Sequence, residues 1–227
     1  MANRSFKHSG KLADIIYSLP AMKELGGGIL YLNTNSGRSE FNSFAYDTIR
    51  PLLVEQNYIS DVRAWNGEPI DFDLDSARTT ATDAKTNLAA IYLRHFGIDE
   101  NVLDLPWLTT RGEPIKLHKE IIINRTARRQ AKYQMLEVTK WHWLPRSIFI
   151  GLPIEHEWFE HTFDCKIEYF PTRDALEIAL VLKGAAKLIA NQSLVMSIAI
   201  GLGVPFMQEV YDLAPNCQFR RQGSGYF

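Results

Sequence analysis

Short apolar runs alternate with amphipathic stretches of helical length along most of the chain. In the first half, apolar runs predict strands at about residues 4–7, 29–32, 62–65 and 70–74. The spacing of apolar positions between them predicts helices at about residues 12–25, 44–56 and 86–96. Strands and helices that alternate at this spacing are typical of a parallel sheet covered by helices. The pattern therefore predicts an α/β fold.

The second half repeats this rhythm more regularly. Its apolar runs predict strands at residues 121–123, 147–151, 166–170, 187–190 and 205–210, the last of them the final strand. Its helices are predicted at residues 153–163, from an N-cap at Thr172 to Gly184, and from a cap at Ser193 to about Gly203. This order is typical of a doubly wound parallel sheet.

A break in the periodicity separates the two halves. Residues 105–114 contain Pro106, Pro114 and Gly112 and carry few periodic signals. We therefore predict two small Rossmann-like domains, residues 1–112 and residues 113–227, which face each other across a cleft. Ligands of such sheets bind at the carboxyl ends of the strands. This rule directs attention to the turns at residues 8–14, 124–129 and 191–193.

Composition excludes several classes of protein. The chain has 227 residues, of which 46% are hydrophobic and 22% are charged, so a mainly disordered protein is excluded. No apolar run reaches the roughly 18 residues of a spanning helix. Residues 1–8 contain no apolar signal core. We expect a cytoplasmic protein in which Cys165 and Cys217 stay reduced.

Charge is distributed unevenly over the two halves. The net charge of −1 argues against a protein that mainly holds long nucleic acids. Residues 1–112 contain 11 basic and 14 acidic residues, whereas residues 113–227 contain 14 and 12. Eight of those basic residues lie between Lys116 and Arg146. This basic stretch fits either a site for a small anion such as a diphosphate or a solvated basic face.

The first turn joins a predicted strand to a predicted helix and contains Ser9, Gly10 and Lys11. Gly10 would let the backbone come close to a ligand, free N–H groups at the turn would favour an anion, and Lys11 would add positive charge. The turn lacks the second glycine and the Ser/Thr of a Walker A loop. Asp14 follows in the first turn of the helix. An acid there either complements the helix dipole or acts as a general base that faces the cleft.

The other two turns carry polar side chains suited to anions. In the turn after residue 123, Asn124, Arg125, Thr126 and Arg128 are candidates to hold phosphate oxygens, and Arg129 fits a surface position equally well. The third turn is Asn191-Gln192-Ser193. Ser193 is explained by helix capping alone, but a cap can still present its turn to a ligand.

A metal site is not predicted. His156 and His161 are five residues apart, whereas two zinc ligands on one helix face need a spacing of four. The sequence also contains no Gly-x-Ser-x-Gly nucleophile elbow.

Several segments together resemble a known family. The segment from Ser9 to Met22, SGKLADIIYSLPAM, is similar to the opening of the heptosyltransferase-like glycosyltransferases, glycosyltransferase family nine. Three further segments are similar to the donor-domain end of that family, namely residues 171–185, 188–193 and 199–205. The resemblance covers about a third of the chain and lies at both of its ends.

The resemblance implies a GT-B fold and an inverting transfer of a sugar from a nucleotide-diphosphate sugar to an acceptor hydroxyl, with no required metal or cofactor. It implies that Asp14 is the catalytic base and that residues 191–193 contact the donor. It places Asn124, Arg125, Thr126 and Arg128 near the donor phosphates. The implied partners are a nucleotide-sugar and an acceptor such as a glycan, a lipid-linked sugar or a modified nucleobase.

The chain departs from the family pattern at several positions. Ala13 replaces the glycine before the aspartate, and Asn191-Gln192-Ser193 replaces an Asp-x-Gly turn. Met196 and Ser197 lie near the place of a family histidine. The chain is also short, like relatives encoded by bacteriophages and bacteria. Two alternatives therefore stay open: a degenerate GT-B protein that binds a nucleotide or sugar without turnover, and a sugar-nucleotide epimerase or hydrolase.

Overall fold

The computed structural model describes residues 4–33, 42–80, 85–131, 142–221 and 223–227. The first half contains strands β1 (Arg4–His8), β2 (Gly28–Leu32), β3 (Ile59–Ala64) and β4 (Phe72–Asp73). Its helices are α1 (Leu12–Glu24), α2 (Ser43–Leu53) and α3 (Leu88–His95), with 3-10 turns at Leu74–Thr79 and Glu100–Asp104. Part of the basic stretch, residues 132–141, lies outside the described residues.

The second half contains β5 (Ile121–Asn124), β6 (Ser147–Phe149), β7 (Glu168–Tyr169), β8 (Lys187–Asn191), β9 (Phe206–Glu209) and β10 (Gly225–Tyr226). Its described helices are α4 (Pro153–Phe163), α5 (Ala175–Gly184) and α6 (Leu194–Leu202), with 3-10 turns at Leu144–Arg146 and Pro215–Cys217.

The strands form two parallel sheets. The first sheet has the order β3-β2-β1-β4 and the second the order β10-β9-β8-β5-β6-β7. Every strand pair is parallel. This confirms the predicted α/β class with two Rossmann-like sheets. The predicted domain division after residue 112 falls in the segment between the sheets and stays a prediction.

Two local expectations are wrong. The N-cap of α5 is Asp174, whose carboxylate accepts the Glu177 amide at 2.9 Å, and not Thr172. The strand at residues 206–209 is not the last one, because β10 pairs with β9. Residues 225–226 are too short a run to be recognised as a strand from hydropathy.

Apolar packing joins the two sheets into one body. Helix α1 packs on α6, and α2 packs on α5, so that one hydrophobic core extends across both halves. The connecting segment adds Trp107, whose indole N–H donates to the Ile16 carbonyl and whose backbone amide donates to the Gly201 carbonyl. Near the end of the chain, the Arg221 guanidinium donates to the Leu103 and Ile200 carbonyls. Within the described ranges, no helix combines the length and apolar character needed to cross a membrane.

A buried histidine lies at the carboxyl end of β1. His8 is fully buried, and its Nδ1 accepts the Gly10 amide at 2.8 Å. The neutral ring therefore carries its proton on Nε2, which lies 2.8 Å from the Tyr92 hydroxyl. Burial lowers the pKa of His8 to about 4, although Asp75 and Asp14 act in the opposite direction.

A buried ion pair lies at the carboxyl end of β5. Arg125 donates through Nε and Nη2 to both carboxylate oxygens of Glu209 at 2.6 Å. The guanidinium also lies over the rings of Trp158 and Phe163. Glu209 is 2% exposed and accepts the Ala131 amide as well. The pair therefore ties the chain after β5 to the end of β9.

We expect Arg125→Ala to lower the free energy of unfolding by about 3–5 kcal/mol, because it leaves the buried Glu209 carboxylate without its partner. Arg173→Ala is the matched control: Arg173 is 82% exposed and pairs with Glu177, so its loss should change the free energy of unfolding far less. Urea denaturation measures both. Equal losses in the two variants would show that the buried pair does not stabilise the fold.

We expect the His8 pKa to make stability depend on pH. Its folded pKa of about 4 is below the ordinary value of 6.5, so the unfolded chain binds more protons between these values. The stabilisation is complete above pH 6.5 and is lost as the pH falls towards 4. Between pH 7 and pH 5, wild type should lose about 2 kcal/mol more than His8→Gln in urea denaturation. Identical pH dependence in the two proteins would contradict this.

Candidate active site

A cleft lies between the carboxyl edges of the two sheets, as the topology of such sheets predicts. Its central cavity has a volume of about 290 Å³. It is lined by Lys11, Leu12, Ala13, Asp14, Thr126, Arg128, Arg129, Glu155, Gln192, Ser193 and Leu194. The structure thus brings residues from all three predicted turns to one cavity.

The first wall is the start of α1. Lys11 is the N-cap of this helix, and Asp14 lies in its first turn with a side chain that is 24% exposed. Ser9 and Gly10 do not line this cavity. Their amides donate to Asp75 and to His8, so these two N–H groups are not free to bind an anion as expected.

The opposite wall is the turn after β5, and Asn191 shapes it. The Asn191 Oδ1 accepts the Thr126 amide at 3.1 Å, and its Nδ2 donates to the carbonyls of Thr126 and Arg128 at 3.0 and 2.6 Å. Asn191 is fully buried behind the turn and does not line the cavity. Its amide holds the backbone that presents Arg128 and Arg129.

The two arginines at the cavity differ from the expected pair. Arg128 lines the cavity as expected, but Arg125 is buried against Glu209. Arg129 takes its place at the cavity. Arg129 has a left-handed backbone with φ of 54°, which is uncommon for a residue other than glycine. Its Nη1 donates to Cys217 Sγ at 2.7 Å.

The amino end of α6 forms the floor between the walls. Ser193 caps this helix by accepting the Met196 amide and donates to Asn124 Oδ1 at 2.8 Å. Gln192 is 5% exposed, and its Nε2 donates to the Ala214 carbonyl. Its Oε1 has no hydrogen-bond partner in the described part of the chain. Because a buried acceptor without a partner is costly, this atom is a candidate ligand contact.

Sequence reasoning missed Glu155, which also lines the cavity. Its carboxylate accepts the Leu152 amide at the start of α4, and burial raises its pKa. The signal in the sequence was a glutamate two residues after Pro153 at a helix start, which is explained by capping alone.

A second cavity of about 380 Å³ adjoins the first one and shares Leu12, Thr126, Glu155, Ser193 and Leu194 with it. Apolar side chains from both halves line it, namely Phe44, Ala45, Leu152, Ile178 and Val195. Asn124 lines this cavity and not the central one. The cleft thus combines a charged centre with an apolar extension.

A third cavity lies elsewhere, between the start of α3 and the chain after β9. It has a volume of about 570 Å³ and is lined by Lys85, Asn87, Glu100, Leu103, Asp104, Pro215, Gln218, Phe219 and Arg220.

In the part of the chain that the structure describes, no three His, Cys, Asp or Glu side chains gather in a way that could hold a metal ion.

Comparison with known proteins gives no match by sequence and clear matches by structure. No protein-family model and no curated protein matches the chain. A glycosyl transferase family 9 protein from Veillonella parvula DSM 2008 superposes with a TM-score of 0.60 at 10% identity, over 100% of this chain and 86% of that one. The heptosyltransferase WaaC of E. coli with ADP gives 0.63 at 10% identity, over 98% and 92%.

A third similar structure is TibC, an iron-containing dodecameric glycosyltransferase from enterotoxigenic E. coli H10407. Its TM-score is 0.63 at 14% identity, over 98% of this chain and 62% of that one. At these identities the likeness establishes the fold. The chain therefore has the GT-B fold of glycosyltransferase family 9 structures, as the resemblance implied.

Proposed function

We propose that the chain is a glycosyltransferase that moves a sugar from a nucleotide-diphosphate sugar to an acceptor hydroxyl. The observation that supports the proposal is the central cavity, where the Asp14 carboxylate shares the lining with Arg128 and Arg129 beside the amino end of α6. A carboxylate opposite cations and a helix start is the arrangement needed to deprotonate one group and stabilise an anionic leaving group.

Each part of the cleft then has a role. The diphosphate lies against Arg128, Arg129 and the start of α6, where charge-assisted hydrogen bonds and the helix dipole favour anions. The nucleobase lies in the adjoining apolar cavity. The unpaired Gln192 Oε1 accepts a hydrogen bond from a ligand hydroxyl. The structures of WaaC with ADP and of TibC with ADP-D-beta-D-heptose support a nucleotide-diphosphate sugar as the donor.

The reaction needs one proton transfer and one displacement. The acceptor oxygen attacks the anomeric carbon from the face opposite the diphosphate. The bond from that carbon to the phosphate oxygen breaks, and its electron pair leaves with the nucleoside diphosphate. Asp14 takes the acceptor proton as the new bond forms. Attack from the opposite face inverts the anomeric centre.

A binding protein without turnover is the second candidate. Asn191 stands where the family has an aspartate, and its amide is fully engaged with the turn after β5. Met196, near the place of a family histidine, is fully buried. These two positions favour a site that binds a nucleotide without reacting, and a turnover assay separates the two candidates.

We expect Asp14→Asn to lower turnover by about 10²–10⁴-fold, since it keeps the shape of the side chain and removes proton acceptance. The assay is release of nucleoside diphosphate from a panel of nucleotide-sugars, with acceptors and in the presence of EDTA, because the proposal assigns charge stabilisation to arginines and not to a metal. Nucleotide affinity and the urea midpoint should stay unchanged in the variant.

Wild-type binding without turnover on any donor would favour the binding protein. Turnover that EDTA abolishes would contradict the metal-independent chemistry. Near-normal turnover of Asp14→Asn would leave Asp14 as a residue that complements the helix dipole.

We expect Arg128→Ala and Arg129→Ala each to weaken nucleoside diphosphate binding by about 1.5–3 kcal/mol, which is roughly 10- to 150-fold in Kd. Arg146→Ala is the control, because Arg146 precedes β6 at the opposite edge of the same sheet and pairs with Glu120. Titration calorimetry with ADP, UDP and GDP measures the effect. Unchanged affinity in both variants would contradict the phosphate assignment.

A further inference from the structure

The wall of the cleft that carries Asp14 is backed by polar side chains from two other elements. The 3-10 turn Leu74–Thr79 contributes Asp75 and Arg78, and α3 contributes Tyr92. The two carboxylates are partly buried, with side chains that are 24% exposed in Asp14 and 17% in Asp75. None of the backing side chains lines the central cavity.

Arg78 lies between the two carboxylates. Its Nη2 is 3.7 Å from Asp14 Oδ2 and 3.7 Å from Asp75 Oδ1. The same Asp75 oxygen accepts the Ser9 amide at 3.1 Å. One guanidinium therefore connects the candidate base to the carboxylate that holds the loop before α1.

The surroundings fix the position of this guanidinium. A Cβ at residue 10 would overlap both Arg78 Nη2 and the His8 ring, so Arg78 packs closely over the glycine. Arg78 also interacts electrostatically with Tyr92, whose hydroxyl His8 contacts from the buried side. A cation held in this way restricts a neighbouring carboxylate more than a flexible surface lysine would.

We propose that Arg78 is a positioning residue for Asp14: it holds the Asp14 carboxylate in the orientation that faces the central cavity, without touching the substrate. The inference rests on the proposed function, because orientation of Asp14 matters to turnover only if Asp14 accepts the acceptor proton. Without the guanidinium, the Asp14 and Asp75 carboxylates would repel each other across the space that it fills.

The test compares Arg78→Met, Arg78→Lys and the control Arg63→Met. Arg63 is an exposed arginine on β3 that also pairs with an aspartate, Asp61. Arg78→Met should lower kcat by about 10²-fold, the effect of displacing a catalytic group by about 1 Å. The donor KM and the Kd for nucleoside diphosphate should change less than twofold, since the donor lies against the opposite wall. The kcat of Arg78→Lys should be at least tenfold higher than that of Arg78→Met, and Arg63→Met should have the wild-type kcat.

A double-mutant cycle tests whether Arg78 acts through Asp14. In an Asp14→Asn background, Arg78→Met should lower kcat no further. If the two effects multiply, Arg78 acts independently of Asp14 and the inference is overturned. Normal kcat in Arg78→Met together with a large loss in Asp14→Asn overturns the inference alone and leaves the proposed function intact.

A measurement without turnover separates the inference from the proposed function. The side-chain carboxyl ¹³C resonance of Asp14, assigned through its loss in Asp14→Asn, reports the surroundings of that carboxylate. It should move in Arg78→Met and return towards its wild-type position in Arg78→Lys. An unchanged resonance in Arg78→Met overturns the inference even if wild type turns over no donor.

Discussion

The geometry of the cleft depends on the buried amide of Asn191. This single side chain at the end of β8 accepts one hydrogen bond from the turn after β5 and donates to three of its oxygens. A buried polar group that loses its hydrogen-bond partner raises the free energy of the folded state, so the turn is held firmly against the end of β8. Arg128 and Arg129 extend from this turn, and their place at the cavity follows from the amide behind them.

The opposite wall is fixed by packing and by a second polar cluster. The contacts of α1 with α6 and of α2 with α5 continue the core across both sheets, so the two carboxyl edges face each other. His8, Asp75 and Arg78 then hold the loop from which Asp14 enters the cavity. In each wall, packed apolar side chains support a group of polar side chains that hydrogen-bond one another or the backbone at the edge of the cleft.

Local signals made much of this architecture predictable. Apolar runs located the described strands except β10, and the cap at Ser193 and the end of α1 near residue 25 were predictable because both depend on neighbouring residues. Asp14, Arg128, Gln192 and Ser193 were placed at the cleft by the rule that ligands bind at strand ends. Their expected roles stay predictions.

Some groups that were expected to face a ligand instead bind other parts of the protein. These contacts could not be predicted, since they join residues that are far apart in the sequence. Arg125 pairs with Glu209, 84 residues away, and nothing near Arg125 distinguishes it from Arg128. The Ser9 amide donates to Asp75, 66 residues away, which removes the free N–H group expected at that turn. The left-handed backbone at residue 129 has no signal in the sequence either, because the position holds an arginine and not glycine or asparagine.

A crystal structure with a bound nucleoside diphosphate, with ADP, UDP and GDP tried in turn, tests the proposed donor site most directly. We expect the two phosphates to lie between the Arg128 and Arg129 guanidinium groups and the start of α6, with the base in the adjoining cavity and Asp14 across the gap. A diphosphate bound in the cavity of about 570 Å³ near Lys85 and Arg220, or in contact with neither Arg128 nor Arg129, would contradict it.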